Sequence, residues 1–179
     1  ELWQIRPSNI HSRKITDFPN AFLPGYSADK SWSPNGSYLA FLSNNEKVEG
    51  RSFPDSFKVW INTLELSSGT VYQGPFVGNR GRGIFAWSPN GSLAYLVEQN
   101  GEEQRIYLSD KKLEKTKEIY FSNGTNMRNI AFIGADHLVL ETSKQLLLLN
   151  ISTLELATLK DAVGGLQDVS KSGNRFLYE

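Results

Sequence analysis

Side chains able to do covalent or redox chemistry are scarce in this sequence. Cysteine is absent, which removes disulfides, thiolate nucleophiles and cysteine-held metal. The two histidines, His11 and His137, read as turn residues. Neither belongs to an H-E-x-x-H pair or a His cluster, so the ligand set of a zinc enzyme is missing. No G-x-S-x-G elbow occurs, so a serine hydrolase has no nucleophile turn. Gly78-Asn79-Arg80-Gly81-Arg82-Gly83 superficially resembles a phosphate loop. Its spacing is G-x-x-G-x-G, and a strand-like Ile84-Phe85-Ala86-Trp87 follows where a helix is needed, so dinucleotide binding is rejected. What remains is a loop presenting Arg80 and Arg82, whose guanidinium groups can fork onto carboxylates. Glu102, Glu103 and Asp110 read as solvated loop charge, and no calcium-loop pattern appears. These residues predict no metal, no cofactor and no catalytic constellation.

Composition narrows the partners. Lys+Arg and Asp+Glu each number 19 in 179 residues, giving zero net charge. Such a chain lacks the positive field on which nucleic-acid binding depends, so no nucleic-acid partner is expected. With 39% hydrophobic and 21% charged residues the chain is globular rather than disordered. No apolar run approaches the roughly 18 residues of a membrane span. A start at Glu1 rather than Met suggests a trimmed or processed N-terminus.

An internal repeat organises the rest. Trp32-Ser33-Pro34-Asn35-Gly36-Ser37 recurs as Trp87-Ser88-Pro89-Asn90-Gly91-Ser92, 55 residues later, and an apolar pattern follows each copy. Degraded copies are read at 168–179, with Val169 in the Trp place, and at 131–141, with Phe132 there. The anchors 32, 87, 132 and 169 are spaced by 55, 45 and 37 residues, a range suited to one four-stranded propeller blade. Ser-Pro-Asn-Gly is a hairpin turn: Pro presets φ, Asn tolerates the next position, and Gly supplies positive φ.

Strands flank each turn. First strands end in Trp32 and Trp87, and second strands are Tyr38–Ser43 and Leu93–Glu98. Third strands are Phe57–Asn62, Arg105–Ser109 and Gln145–Asn150; fourth strands are Thr70–Gln73, Lys117–Ser122 and Leu156–Lys160. The runs are apolar on both faces, as in a sheet covered on both sides. The fold class is therefore all-β: a β-propeller of four-stranded antiparallel blades, about four blade equivalents in one domain, 1–179. Half a blade occupies 1–17, blades occupy about 18–75, 76–122 and 123–161, and the complementary half occupies 162–179. The two halves either pair to close a ring or belong to a fragment of a larger one. The reading requires little helix and equivalent places for Trp32 and Trp87.

The Trp-Ser-Pro-Asn-Gly-Ser turn followed by Tyr38-Leu39-Ala40-Phe41 resembles the TolB-like (WD40-like, PD40) propeller repeat, W-S-P-D-G-x-x-(I/L)-A-F. Asn35 and Asn90 stand where that repeat usually has Asp, keeping the turn but dropping its charge. The resemblance implies a propeller with a non-catalytic, protein-binding or scaffold role outside the cytoplasm, periplasmic or extracellular. Two further roles stay open: the propeller portion of a larger prolyl-oligopeptidase-like enzyme, and a small-ligand or sugar-binding propeller.

Propeller turns alternate between two faces. The SPNGS turns share one face. Longer, more varied segments (17–30, 44–56, 74–83, 98–104 and 122–129) share the other. Long loops on a rigid scaffold usually carry binding. Phe18, Phe22, Tyr26, Phe53, Phe76, Arg80, Arg82, Asn126 and Arg128 lie there and are the candidate contacts for a protein or peptide partner. Four N-x-S/T sequons, at Asn35, Asn90, Asn123 and Asn150, complete the inventory.

Overall fold

A computed structural model describes residues 2–6, 11–16, 21–23, 31–44, 58–78, 84–99, 103–161, 166–169 and 176–178. They contain no α-helix and form two compact units, Glu1–Gly83 and Ile84–Glu179. The first unit begins with an antiparallel pair, β1 (Leu2–Arg6) and β2 (His11–Thr16). A four-stranded antiparallel sheet follows in the order β3 (Ala21–Phe22), β4 (Tyr38–Ser43), β5 (Val59–Glu65), β6 (Val71–Gly78).

The second unit repeats this plan. One sheet runs β7 (Phe85–Trp87), β8 (Leu93–Gln99), β9 (Glu103–Ser109), β10 (Thr116–Asn123). The next runs β11 (Met127–Ile133), β12 (His137–Thr142), β13 (Gln145–Asn150), β14 (Leu156–Asp161). A final pair is β15 (Leu166–Val169) with β16 (Phe176–Tyr178). In this unit the first strands β7 and β11 lie side by side, as do β11 and β15. Strand order thus runs outward from a shared inner line, which is how propeller blades are arranged.

The repeated hexapeptide folds as its residues dictate. Gly36 and Gly91 take φ of +67° and +86°, which a Cβ would disfavour. Their amides donate to the carbonyls of Ser33 (2.8 Å) and Ser88 (2.9 Å). The Asn35 Oδ1 accepts from the Ser33 hydroxyl at 2.9 Å and the Ser37 amide at 3.0 Å, and Asn90 Oδ1 accepts from the Ser88 hydroxyl and the Ser92 amide. The carboxamide does this without needing the charge of an aspartate.

One expectation at these hairpins is corrected. The strand before the first turn does not end in Trp32, which makes only an isolated bridge to Leu39. The first strand of that sheet is β3, which pairs farther along β4, Ala21 opposite Ser43 and Phe22 opposite Leu42. The repeat is also not a gapless copy. Trp32 faces Leu39, whereas Trp87 faces Leu93 and Phe132 faces Leu138. Leu39, Leu93 and Leu138 in turn face Leu64, Ser109 and Leu149 on the third strands. The three sheets therefore share one register, and the first hairpin holds one extra residue, Tyr38. Trp32 and Trp87 occupy the same ladder place, yet Trp32 is 36% exposed and Trp87 only 9%.

Packing in the second unit joins two sheets. Ala94, Leu96, Ile106 and Ile119 of the β7–β10 sheet form one buried cluster with Met127, Ile130, Phe132, Leu138, Leu140, Leu147 and Leu149 of the β11–β14 sheet. A buried hydrogen bond crosses the same junction, the Met127 amide donating to Gln104 Oε1 at 2.7 Å. Such a bond is strengthened by its apolar surroundings and fixes how the sheets meet. Burial fades outward: β4 is buried throughout, whereas every residue of β14 is exposed.

Candidate functional site

The SPNGS turns stand at one end of their sheets, and the loops joining second to third strands stand at the other. Of the residues expected at that second end, Phe18, Tyr26, Phe53, Arg80 and Arg82 lie outside the described residues. Phe22 is described in its backbone alone, in β3 opposite Leu42.

Phe76 corrects the expected loop. It belongs to β6, which runs on to Gly78, and it pairs with Trp60 of β5. Their rings meet edge to face, 5.7 Å between centroids and 64° between planes, a favourable aromatic geometry. The β5–β6 register shifts at Val59/Trp60 and again between Trp60 and Asn62. Irregularities of this sort turn side chains away from the regular pleat. Trp60 and Phe76 are both left half-buried.

Asn126 and Arg128 flank the start of β11. Asn126 is exposed, and its carbonyl accepts the Ser143 amide at 2.8 Å, which ties this corner to the β12–β13 turn. Arg128 lies inside the strand rather than in a loop. Met127 faces Thr142 and Asn129 faces Glu141, so Arg128 is the extra residue of a β-bulge. The bulge leaves its side chain exposed. That side chain has no hydrogen bond or ion pair among the described residues. An exposed Arg at a bulge offers a two-pronged donor for a carboxylate.

Sequence reading missed two features. Glu141 stands at the register place of Leu42 and Leu96, and it is buried directly across from Asn129 beside the bulge. Only the register could reveal that substitution, because the residue falls within the most degraded repeat. The second feature is a cluster across β9 and β10. Arg105 pairs with Glu118 at 2.9 Å and with Glu103 at 3.6 Å. Its guanidinium carbon lies 4.7 Å from the centre of the Phe121 ring. The Tyr107 hydroxyl donates to the same Glu118 oxygen at 3.3 Å, and partial burial followed by the Glu118 charge raises the phenol above its usual range. Arg105 is thereby neutralised at home, whereas Arg128 has no such partner among the described residues. Alternation of Glu103, Arg105 and Tyr107 along β9 was the available signal. His11 begins β2 and His137 begins β12, where its Nε2 lies 3.4 Å from Asn150 Nδ2. Neither is a turn residue.

No family model and no curated protein matches the chain. Solved structures do. TolB from Acinetobacter baumannii is 15% identical with a TM-score of 0.68, covering 98% of this chain and 42% of that one. A Bacteroides ovatus protein assigned as a dipeptidyl aminopeptidase IV is 11% identical with a TM-score of 0.64, covering 94% of this chain and 34% of its own. The β-propeller domain of the trilobed protease from Pyrococcus furiosus is 13% identical with a TM-score of 0.52, covering 74% and 42%. The chain spans less than half the length of each. At these identities the likeness concerns fold, and the fold is a β-propeller of the kind found in TolB and in peptidase propeller domains.

Proposed function

We propose that the chain is a non-catalytic propeller module that holds a protein or peptide partner at the end of its sheets opposite the SPNGS turns. The observation that carries this reading is Arg128, an exposed cation on a bulge with no ion pair among the described residues, beside exposed Asn126. Arg80, Arg82, Phe18, Phe22, Tyr26, Phe53 and Phe76 complete the proposed contact set. Its mixture of aromatic and Arg residues suits interface hot spots. A partner with carboxylates, such as an acidic peptide or a C-terminus, matches the guanidinium donors. The proposed setting is periplasmic or extracellular, following the TolB likeness. No helix among the described residues is long and apolar enough to cross a membrane.

The test is a displayed peptide library selected on the purified chain. Alanine at Arg80, Arg82 and Arg128 should weaken binding of the selected peptides about tenfold or more, with Tm near wild type; alanine at Phe76 should weaken binding and also lower Tm, because its ring packs on Trp60. Alanine at Asn35 or Asn90, on the opposite end, should leave binding intact. Equal loss from both ends would overturn the reading. A second reading has the likeness to the peptidase structures behind it: the chain is the propeller lobe of a larger peptidase. A peptidase activity of the full gene product, lost when this segment is deleted, would favour it.

A further inference from the structure

The described residues contain three Asn-Gly dipeptides, Asn35-Gly36, Asn90-Gly91 and Asn123-Gly124, and a fourth, Asn100-Gly101, lies outside them. Asn-Gly is the sequence in which an asparagine side chain is most open to attack by the next backbone nitrogen, because glycine offers no shielding side chain. Local structure decides whether that attack can occur. In the two repeat turns both reacting halves are occupied. The Gly36 and Gly91 amides donate to Ser33 and Ser88 carbonyls, and the Asn35 and Asn90 carboxamide oxygens are held by serine hydroxyls and backbone amides. Attack there requires opening the turn first.

Asn123 has none of these restraints. It is the last residue of β10, it is exposed, and its side chain has no hydrogen bond among the described residues. Gly124 is exposed with φ of +73°, and its amide has no backbone partner among the described residues. We propose that Asn123 is a spontaneous modification site, converting to aspartate and isoaspartate far ahead of Asn35 and Asn90. The Gly124 nitrogen attacks the Asn123 Cγ, and the Cγ–Nδ2 bond breaks. Ammonia leaves with the proton lost from the Gly124 amide, and a succinimide ring remains. Water then opens the ring at either carbonyl, giving the aspartyl or isoaspartyl product with no change of oxidation state. The product places a second carboxylate directly across from Glu103, the residue that faces Asn123 in the β9–β10 ladder. Like charges in that position oppose each other, and the isoaspartyl form also lengthens the backbone at the sheet's end.

The experiment ages the intact chain in mildly alkaline buffer and follows each site by tryptic peptide mapping with fragmentation. Asn123 should convert about tenfold faster than Asn35 or Asn90, the ratio expected when one or two retained hydrogen bonds must first open. In urea the three sites should converge, because the difference belongs to the fold. Ser33→Ala and Ser88→Ala should accelerate their own asparagines alone. Equal rates in the folded chain, or the same ranking after unfolding, would overturn the proposal.

Discussion

The hairpins opened by Trp32 and Trp87 share six identical residues and differ in almost everything that surrounds them. In the first, the Ser33 amide donates across to the Tyr38 carbonyl; in the second, the Ser88 amide donates to Ser92, so one residue fewer spans the turn. The first is preceded by a single bridge, the second by a three-residue strand. Local chemistry therefore determines the turn, since Pro, Asn and Gly act on their own dihedrals and nearest amides. The ladder register is determined by the apolar residues that follow. Leu39 and Leu93 each take the buried place opposite the tryptophan, and the turn absorbs the difference in length. A strand slipped by one residue would turn its whole apolar set to the wrong face, so burial overrides the gapless alignment of the two copies.

The tryptophans give the largest effect by which to break this comparison. Trp87→Ala removes a nearly buried indole and should cost about 3–5 kcal/mol. Trp32→Ala removes one that is 36% exposed and should cost about 1–2 kcal/mol. Urea unfolding of both variants measures the pair. Equal losses would mean that the two hairpins are energetically interchangeable after all.

Turn length comes next. Deleting Tyr38 should convert the first hairpin to the five-residue form while keeping Leu39 opposite Trp32. The cost is the buried ring and its hydroxyl bond to Glu65 Oε1 at 2.7 Å, about 2–3 kcal/mol together. Amide hydrogen exchange along β4 would show whether the register survives. A β4 with every face exchanged would sink the claim that Leu39 sets it.

Glycine conformation separates turn chemistry from packing. A Cβ at Gly36 or Gly91 would meet nothing within 4 Å. Alanine at either site should cost about 1 kcal/mol from positive φ alone, and by the same amount in both hairpins. The opposite experiment sits in the β13–β14 turn. Leu154 holds φ of 62° and donates its amide to Asn150, just as Gly69 at φ of 73° donates to Glu65 in the β5–β6 turn. Leu154→Gly should relieve strain and raise stability by up to about 1 kcal/mol, less the added freedom of the unfolded chain.

The same contrast explains what could be read from residues alone. The ends of β4 and of β13 agree with the sequence reading, because each is an apolar run bounded by turn residues. β3 is not legible there: two residues are too few to show alternation, and the strand lies ten residues before the Trp32 anchor. Phe76 and Arg128 read as loop residues because Gly, Pro and Asn around them resemble loop composition. Irregular ladders at Trp60 and Arg128 accommodate those residues inside strands. The Arg105–Glu118–Phe121 cluster joins strands whose register carries a bulge at Glu118/Tyr120, so alignment by eye could not bring its members together.

The smallest effect in this series is a matter of one oxygen. Phe41 and Tyr95 occupy the same register place, two residues after Leu39 and Leu93, and both are buried. Burial raises the Tyr95 phenol above its usual value, the Thr116 hydroxyl partly opposing and Tyr107 adding to the rise. The two tyrosine rings stack with centroids 5.9 Å apart. Because the folded value is the higher, the folded state favours the neutral phenol. Its contribution is intact below the unfolded value of about 10 and is lost as pH rises through the folded one. Stability should therefore fall on the alkaline side of about pH 10 in the wild-type chain. Tyr95→Phe makes the second sheet match the first at this place and should flatten that fall, leaving the share of Tyr107, whose phenol is also raised. Chemical denaturation across the alkaline range measures both proteins. Parallel curves would show that Tyr95 ionises alike in the folded and the unfolded chain, and would overturn the claim that burial raises its phenol.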